Sequence, residues 1–313
     1  MTAAFLGVDL GGTGTRIVRI DAVGTVLAEA SLPTATERAV PALLETLAAV
    51  IEGPVAGIAI GASGPVDAQG VIQNPDTLPA YTGHDLIGAI SDRFGVPVLI
   101  DNDAVTAAYG EARLGAGRGH NRVLTVTLGT GVGVALLDHG RPWRTAAGAH
   151  PEAGHLSVSG DAACYCGRRS CWEQRASRTA LQAAADGLGL DLRTLADRAR
   201  GGDTEALAVF SAYGAAVAEG LADLLTLLGP EVVVLGGGGA VDLELFRLAL
   251  LDKLATVQGC FEVPAIAAAQ LGDLSGAVGA ALVVQQAIDA STTPWRALSA
   301  RGTKRPSRRL GEP

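Results

Sequence analysis

The sequence predicts an α/β fold made of two similar halves with a cleft between them. A strand–glycine turn–strand unit occurs near residue 10 and again near residue 130, and a helix, a buried strand and another glycine turn follow each unit. Repetition of one supersecondary unit is typical of a duplicated architecture. We therefore expect a smaller α/β domain over residues 1–115 and a larger one over residues 116–290, rather than one doubly wound sheet.

In the first half, apolar runs and turn residues place the elements in order. We expect a helix over residues 41–52 and strands over residues 5–9, 16–21, 25–30, 55–60 and 96–100. The last of these strands ends in Asp101-Asn102-Asp103 and leads into a helix over residues 104–113. An acid at the carboxyl end of a strand in such a fold points towards the ligand crevice.

The second half repeats this order. We expect a long Ala/Leu-rich helix over residues 213–228 and strands over residues 123–128, 134–137 and 232–235. The last strand runs into a turn over residues 236–239, and a helix begins near Val241.

Charge and composition exclude several functions. The chain has 313 residues and a formal net charge of −8, but residues 291–313 carry +5, which leaves −13 on residues 1–290. An acidic body argues against general binding to nucleic acid, and no continuous apolar run approaches the roughly 18 residues of a membrane span. We expect a cytoplasmic protein without membrane association, and a disordered basic tail over residues 291–313.

Two glycine turns, each between two strands, predict a phosphate site. They are Leu10-Gly11-Gly12-Thr13-Gly14 and Leu128-Gly129-Thr130-Gly131. Glycine has no Cβ, so the backbone N–H groups of such turns can converge on an anion. Either turn alone is also typical of a simple hairpin, but the matched pair favours polyphosphate binding. A third turn, Gly236-Gly237-Gly238, could seat a nucleotide base or ribose, with a tight strand-to-helix turn as the alternative.

A cluster of cysteines predicts a metal site. Three of the four cysteines fall within eight residues, and a histidine lies nine residues upstream: Cys164, Cys166, Cys171 and His155. A Cys3His set completes a tetrahedral zinc shell with no open position, so the expected role is structural. Glu152 and Glu173 flank the set, and each carboxylate can accept hydrogen bonds from the hydroxyls of a polyhydroxylated ligand.

Together these motifs resemble the ROK family of sugar kinases and repressors, nearly collinearly over residues 5–285. The segments that carry the resemblance are Val8-Asp9-Leu10-Gly11-Gly12-Thr13, Gly61 to Asp67, Asn102-Asp103-Ala104, Leu128-Gly129-Thr130-Gly131, Glu152-Ala153-Gly154-His155, Cys164-x-Cys166-Gly167-x-x-x-Cys171-x-Glu173 and Val234-Leu235-Gly236-Gly237-Gly238. The resemblance implies a duplicated actin/hexokinase-like (ribonuclease H-like) fold with ATP in the interdomain cleft. It also implies a homodimer or a larger homo-oligomer.

The resemblance further implies roles for single residues. Asp103 is implied to be the base that deprotonates a sugar hydroxyl, whereas the residue taken alone could be nothing more than a helix N-cap. The other sugar contacts are Ser63, Gly64, Asn102, Glu152, His155 and Glu173. His155 binds zinc through one ring nitrogen and presents the other to the sugar. Asp9 lies near Mg²⁺-ATP, and the remaining nucleotide contacts are Gly11, Gly12, Thr13, Gly129, Thr130, Gly131, Gly236, Gly237 and Gly238.

We expect ATP-dependent phosphorylation of a hexose 6-hydroxyl, with glucose preferred. The Cys-x-Cys segment matches the glucokinase branch of the family, whereas His150-Pro151-Glu152 matches the fructokinase branch. Gly14 stands where the family often has Lys or Asn, with Arg16 two residues further on. The alternatives are a fructokinase or mannokinase and a non-catalytic sugar-binding regulator. Against the regulator, the chain begins at its first strand, without the helix-turn-helix of the family's repressors.

Overall fold

The structure is a computed structural model, and it describes residues 3–34, 38–67, 69–146, 148–257, 260 and 262–289. The basic tail predicted over residues 291–313 lies outside the described residues. Two five-stranded sheets organise the described part of the chain.

The first sheet comes from the N-terminal half. Its strands are β1 (Ala4–Leu10), β2 (Gly14–Ile20), β3 (Val26–Pro33), β4 (Val55–Ala62) and β5 (Val98–Asn102), in the spatial order β3-β2-β1-β4-β5. The central strand β1 runs antiparallel to β2 and parallel to β4, so Asp9 lies opposite Arg16 on one side and Gly61 on the other. The helices of this half are α1 (Ala39–Val50), α2 (Leu86–Phe94) and α3 (Asp103–Leu114).

The second sheet has the same topology. Its strands are β6 (Arg122–Leu128), β7 (Val132–Asp138), β8 (Arg141–Pro142), β9 (Val232–Gly236) and β10 (Ala265–Ala268), in the spatial order β10-β9-β6-β7-β8. Read from the other edge, this is the strand order of the first sheet, and the parallel and antiparallel pairs correspond. The predicted duplicated α/β fold is therefore confirmed. The remaining helices are α4 (Glu173–Ala176), α5 (Arg178–Asp186), α6 (Leu192–Arg200), α7 (Thr204–Leu228), α8 (Leu243–Ala255) and α9 (Ser275–Asp289).

Both faces of the first sheet are covered. Successive side chains of a strand point to opposite faces, and Leu6 and Val8 of β1 pack with α1 and α2 whereas Phe5 packs with α9. Gly7 allows this approach, because a Cβ at that position would lie 1.8 Å from the carbonyl oxygen of Ala277 in α9. A strand that is buried on both faces has a nearly continuous apolar sequence, and the sequence of β1 therefore predicted a strand.

The helices α3 and α9 follow the last strand of their respective sheets and pack against each other between the sheets. Their backbones touch at glycines: a Cβ on Gly279 would lie 1.7 Å from the Thr106 carbonyl oxygen. Each helix also packs on the sheet of the opposite half, α9 on β1 and α3 on β7. The division between residues 115 and 116 remains a prediction, and these two helices pack across it.

Both chain segments that join the halves are attached to one carboxylate. Glu111 on α3 is buried and accepts hydrogen bonds from the N–H of Ala116 at 2.9 Å, of Gln270 at 3.0 Å and of Leu271 at 2.9 Å. Ala116 belongs to the link from α3 to β6, and the other two residues belong to the link from β10 to α9. The two links are therefore held at a common point.

The helix α7 begins nine residues before the predicted start, because Asp203 caps it by accepting hydrogen bonds from Glu205 and Ala206 at 3.0 Å. Among the described residues it is the one helix long and apolar enough to cross a membrane, and 56% of its apolar window is buried in the fold. Core helices of globular proteins often meet the same criterion. The sequence of α7 contains no continuous apolar run of this length because Glu219 and Asp223 interrupt it.

Candidate active site

Asp103 is the first residue of α3 and directly follows β5. The helix cap is Asn102, whose Oδ1 accepts from the Ala104 N–H at 2.9 Å and whose Nδ2 donates to the Gly64 carbonyl at 3.3 Å. Oδ1 of Asp103 accepts from the same N–H at 2.8 Å. The alternative role of Asp103 as an N-cap is therefore wrong, because Asn102 occupies that position. The helix also begins at residue 103, one residue earlier than predicted.

The environment of Asp103 favours the protonated carboxyl. Burial raises its pKa to about 6, the charge of Glu152 adds to the rise, and hydrogen bonds from the Ala104 N–H and the Ser63 hydroxyl oppose it. A proton acceptor is most effective when its pKa lies near the working pH. Asp103 therefore combines a partly buried position with a pKa suited to general base catalysis.

Asp9 forms a second acidic position beside Asp103. Burial and the charge of Asp103 raise the pKa of Asp9 to about 7, and Arg16 lowers it. The start of α9 lies against this carboxylate, since a Cβ on Gly276 would be 2.7 Å from Cγ of Asp9. Arg16 itself pairs with Asp273 at 2.7 Å. Asp9 and Asp103 are neighbouring carboxylates that are both partly exposed, and a cation beside them would favour their ionised forms.

A polar residue that sequence analysis missed supports the segment after β4. Asn74 donates from Nδ2 to the Ser63 carbonyl at 3.0 Å and accepts from the Thr77 N–H at 3.2 Å. Gly64 has φ +81°, and a Cβ there would lie 2.4 Å from Nδ2 of Asn74. Ser63 and Gly64 lie beside Asn102 and Asp103. The Asn-Pro pair at residues 74–75 is a turn signal and carries no sign of this role.

The four predicted metal ligands meet in one cluster. One ligand atom from each of His155, Cys164, Cys166 and Cys171 lies within 4.8 Å of all the others. Sγ of Cys166 is 3.6 Å from Sγ of Cys171, and Sγ of Cys164 is 3.6 Å from Nδ1 of His155. In a tetrahedral site with Zn–S distances of about 2.3 Å, neighbouring ligand atoms are about 3.5–3.8 Å apart. Donor types and spacing therefore both fit zinc.

Local backbone structure presents these ligands. The Gly167 N–H donates to the Cys164 carbonyl at 3.0 Å, and Gly167 has φ +85°, which closes a tight turn around Cys166. A guanidinium nitrogen of Arg168 donates to the His155 carbonyl at 3.0 Å and ties the turn to the histidine. The loop is thus preshaped by backbone hydrogen bonds as well as by its ligands.

Glu173 and Tyr165 surround the histidine. Oε1 of buried Glu173 is 3.4 Å from Nδ1 of His155, and a Cβ on Gly131 would lie 2.7 Å from Oε2. Nε2 of His155 is 3.2 Å from the Tyr165 hydroxyl, and the two rings meet edge to face at 5.2 Å. We expected this nitrogen to face the sugar; in the structure it contacts Tyr165, for which sequence analysis assigned no role.

Glu152 lies close enough to Asp103 for its charge to raise the pKa of that residue. Its Oε1 is 3.3 Å from Nε2 of His150, and about half of its side chain is exposed. Burial, with a further contribution from Arg144, lowers the pKa of His150 to about 4, so this imidazole is neutral at neutral pH. A neutral histidine can donate one hydrogen bond to the carboxylate and fix its direction.

Two of the three glycine turns come into contact. The turn at residues 129–131 closes with a hydrogen bond from the Gly129 N–H to the Gly131 carbonyl at 3.0 Å. The turn at residues 236–239 packs against it, since the Gly239 N–H donates to the Leu128 carbonyl at 2.8 Å and Gly237 has φ +78°. Both predicted nucleotide segments of the second half therefore form one surface, with Thr130 exposed on it.

The start of α5 completes this surface, which sequence analysis did not foresee. The Arg178 N–H donates to the Gly129 carbonyl at 2.8 Å, and the Thr179 hydroxyl donates to the Thr130 carbonyl at 2.9 Å. The turn at residues 11–14 lies in the first half beside Asp9, with Thr13 exposed, and closes with a similar hydrogen bond from Gly11 to Gly14 at 3.2 Å. The two turns differ by one residue, because the first closes over Gly12 and Thr13 and the second over Thr130 alone.

Several known proteins are similar to this chain in sequence and in fold. A glucokinase of Streptomyces coelicolor is 32% identical over 305 residues, which cover 88% of this chain and 96% of that protein. An N-acetylmannosamine kinase of Citrobacter koseri is 30% identical and covers 90% of this chain and 98% of its own length. The crystal structure of a ROK family glucokinase from Streptomyces griseus, in complex with glucose and AMPPNP, is 33% identical, covers 90% of this chain and 99% of its own, and superposes with a TM-score of 0.77.

The likeness to that crystal structure confirms the actin/hexokinase-like fold that the motifs implied. Residues 5–287 match the sequence model of the ROK family over nearly the whole described chain. The protein therefore belongs to the ROK family.

Proposed function

We propose that this protein is an ATP-dependent kinase that phosphorylates the 6-hydroxyl of a hexose, with glucose preferred. The observation that carries the proposal is the position of Asp103, which is partly buried directly after β5, next to Asn102 and Ser63, with a pKa raised to about 6. Relatives named as glucokinases at 32–33% identity support the reaction.

In the proposed reaction, Asp103 orients the 6-hydroxyl and accepts its proton as the oxygen attacks the γ-phosphorus of ATP. The bond from that phosphorus to the β,γ-bridging oxygen breaks, and ADP leaves. Phosphoryl transfer requires little covalent chemistry from the protein and depends on positioning and charge neutralisation. The Ala104 N–H and the Ser63 hydroxyl hold the carboxylate in place. Asn102, Glu152, His155 and Glu173 would bind the other hydroxyls of the sugar.

The glycine turns would hold the second substrate, Mg²⁺-ATP. Backbone N–H groups at residues 11–14 and 129–131 would bind the phosphates, and the joint surface of residues 129–131 and 236–239 would take the nucleoside. Asp9 would lie at the magnesium ion. Its raised pKa reflects burial and the neighbouring charge of Asp103, and a divalent cation would favour its ionised form.

The Cys3His set would hold a structural zinc ion. A closed shell leaves no position for substrate, so zinc supplies no step of the transfer. Its proposed contribution is to fix the loop that carries His155 and leads to Glu173. For this arrangement, Nε2 of His155 must exchange its contact with the Tyr165 hydroxyl for one with the sugar.

The choice of glucose rests on the zinc segment, because that segment carries Glu173 and sets His155. A site whose buried hydrogen-bonding groups match one sugar leaves them unpaired with another, so we expect large discrimination. Fructose and mannose remain the alternatives within this activity. N-acetylmannosamine joins them because a kinase named for that sugar is 30% identical. A non-catalytic regulator is the alternative outside it.

The test is a coupled assay of ADP release with purified protein, saturating Mg²⁺-ATP and a panel of glucose, fructose, mannose and N-acetylmannosamine. We expect the highest kcat/KM with glucose, and glucose 6-phosphate as the product in a phosphorus NMR spectrum. Asp103→Asn, purified in parallel, controls for contaminating kinases. A kcat/KM for another sugar equal to or above that for glucose would overturn the sugar assignment alone. Glucose binding by calorimetry without ADP release on any sugar would establish the regulator.

A further inference from the structure

Asp101 and Arg144 form an ion pair that joins the two halves next to the proposed site. A guanidinium nitrogen of Arg144, NH2, donates to Oδ2 of Asp101, and the two side chains are 25% and 10% exposed. Asp101 lies in β5 of the first sheet, whereas Arg144 follows β8 of the second sheet. The pair thus connects the strand that leads to Asp103 with the second half of the chain.

Each partner of the pair also holds a neighbouring backbone segment. Oδ1 of Asp101 accepts from the N–H of Asn102 at 2.8 Å, immediately before Asp103. The other terminal nitrogen of Arg144, NH1, donates to the Gly148 carbonyl at 3.2 Å, in the segment that leads to Glu152. The contacts therefore form a continuous path from the backbone at Asn102 to the backbone that carries Glu152.

Removing both charges of this pair from water costs free energy, so an ion pair at this place needs an advantage that an apolar contact does not offer. Burial raises the pKa of Asp101, and the charge and hydrogen bond of Arg144 oppose that rise. Well-packed apolar residues of similar volume often stabilise a buried contact as well as an ion pair does. A guanidinium, however, holds two acceptors in a fixed planar arrangement, which an apolar contact does not.

We propose that Arg144 is a positioning residue, which acts through Asp101 to hold Asn102 and Asp103 at a fixed distance and angle from the segment that carries Glu152. Arg144 would not touch the reacting atoms. It would determine whether a sugar held by Glu152 places its 6-hydroxyl at Asp103. The proposal rests on the proposed kinase function for its kinetic consequences, and its structural consequence can be measured separately.

The kinetic test compares Arg144→Met and Arg144→Lys with the parent protein. A displacement of about 1 Å between reacting groups can cost about 100-fold in rate. We expect Arg144→Met to lose about 100-fold in kcat and to raise the KM for the sugar, while the KM for ATP changes less than about threefold. Arg144→Lys keeps the charge but loses the planar guanidinium, so its kcat should lie between that of Arg144→Met and that of the parent. Arg141→Met, which removes an exposed arginine three residues upstream, should behave like the parent.

A double variant separates positioning from stability. Arg144→Met leaves the carboxylate of Asp101 buried without its cation, so its Tm should fall. The double variant Asp101→Asn/Arg144→Met removes that charge and should recover most of the Tm while kcat stays low. Recovery of kcat together with Tm would show that the pair serves only stability, and would overturn the proposal.

A third measurement does not depend on turnover. Hydrogen exchange at the amides of Asn102 and Ala104 should be faster in Arg144→Met than in Arg141→Met, because the path from Arg144 through Asp101 fixes both amides. If the parent phosphorylates no sugar, the proposed function fails and this experiment still decides the positioning role. Equal exchange in the two variants would overturn that role even if the parent is an active kinase.

Discussion

Oε1 of Glu173 lies 3.4 Å from Nδ1 of His155, the ring nitrogen that also lies beside Cys164. A carboxylate proposed to bind sugar therefore stands at the edge of the proposed metal cluster. The arrangement of the cysteines and the arrangement of the sugar site are linked through these two side chains.

Removing one cysteine, which does not itself touch the sugar, should therefore weaken sugar binding. Structural zinc sites contribute on the order of 10–16 kcal/mol of apparent binding free energy at neutral pH. We expect Cys166→Ala to lose zinc and to weaken glucose binding at least about tenfold, as measured by elemental analysis and calorimetry. Cys260→Ala, at an exposed cysteine outside the cluster, should retain both. Absence of zinc from the purified, tag-free parent would show that the metal assignment is wrong.

Asp103→Asn should separate chemistry from binding. A positioned general base typically contributes about 10²–10⁴ in rate, so we expect kcat to fall within that range. The affinity for glucose should change by less than about threefold, because the amide keeps the shape and the acceptor of the side chain. Asp92→Asn, at an exposed position of α2, is the matched control. A kcat for Asp103→Asn within a few-fold of the parent value would contradict the role of this residue.

The pH dependence of the reaction should report the raised pKa of Asp103. A base must be deprotonated to act, so kcat/KM for the sugar should fall as the pH drops through about 6, by about tenfold per pH unit. The same group ionised at its ordinary pKa of 3.8 would leave the rate flat down to about pH 4.5. Initial rates between pH 4.5 and 8 at saturating Mg²⁺-ATP distinguish the two. A rate that begins to fall only below pH 5 would show that burial does not raise the pKa of this carboxyl as described.

The crossing of α3 and α9 should tolerate no added methyl group. In Gly279→Ala the new Cβ would lie 1.7 Å from the Thr106 carbonyl oxygen, a backbone atom that can move only with its helix. Overpacking of a well-filled core costs about 1–3 kcal/mol and occasionally more, and we expect about 3 kcal/mol or more here, seen as a lower denaturant midpoint. Gly14→Ala is the control, since its Cβ would have its nearest neighbour at 3.9 Å. Equal midpoints for the two variants would mean that the helices are not in contact at this point.

Features with a local sequence signal could be predicted. The cysteine cluster spans eight residues, so its spacing indicated a metal site. Asp103 follows a recognisable buried strand, but only the resemblance to the ROK family implied its role as a base. The start of α7 was predicted too late, although the sequence held a signal for it: Asp203 is a typical N-cap residue directly before an apolar helix.

Features that depend on the third dimension could not be predicted. Arg144 and Asp101 are 43 residues apart, and an arginine in a polar loop has no property that identifies a buried partner. The contact of Tyr165 with His155 depends on how the turn at Gly167 folds back. The packing of α9 on the opposite sheet has no specific signal in the sequence. The segment is rich in Ala and Gly, and such a helix is compatible with many positions in the fold.

The position of α9 also constrains the order in which this protein can assemble during synthesis. Phe5, Val18, Ile20 and Ala59 of the first sheet are covered by residues of α9, which the ribosome makes more than two hundred residues later. Domains generally fold as units as they emerge, beginning with the N-terminal one. Here one face of the first sheet must wait, with apolar side chains uncovered, until nearly all of the described chain has been translated. The nascent chain thus exposes an apolar surface for most of its synthesis. Chaperones that bind such surfaces would act on the N-terminal half first.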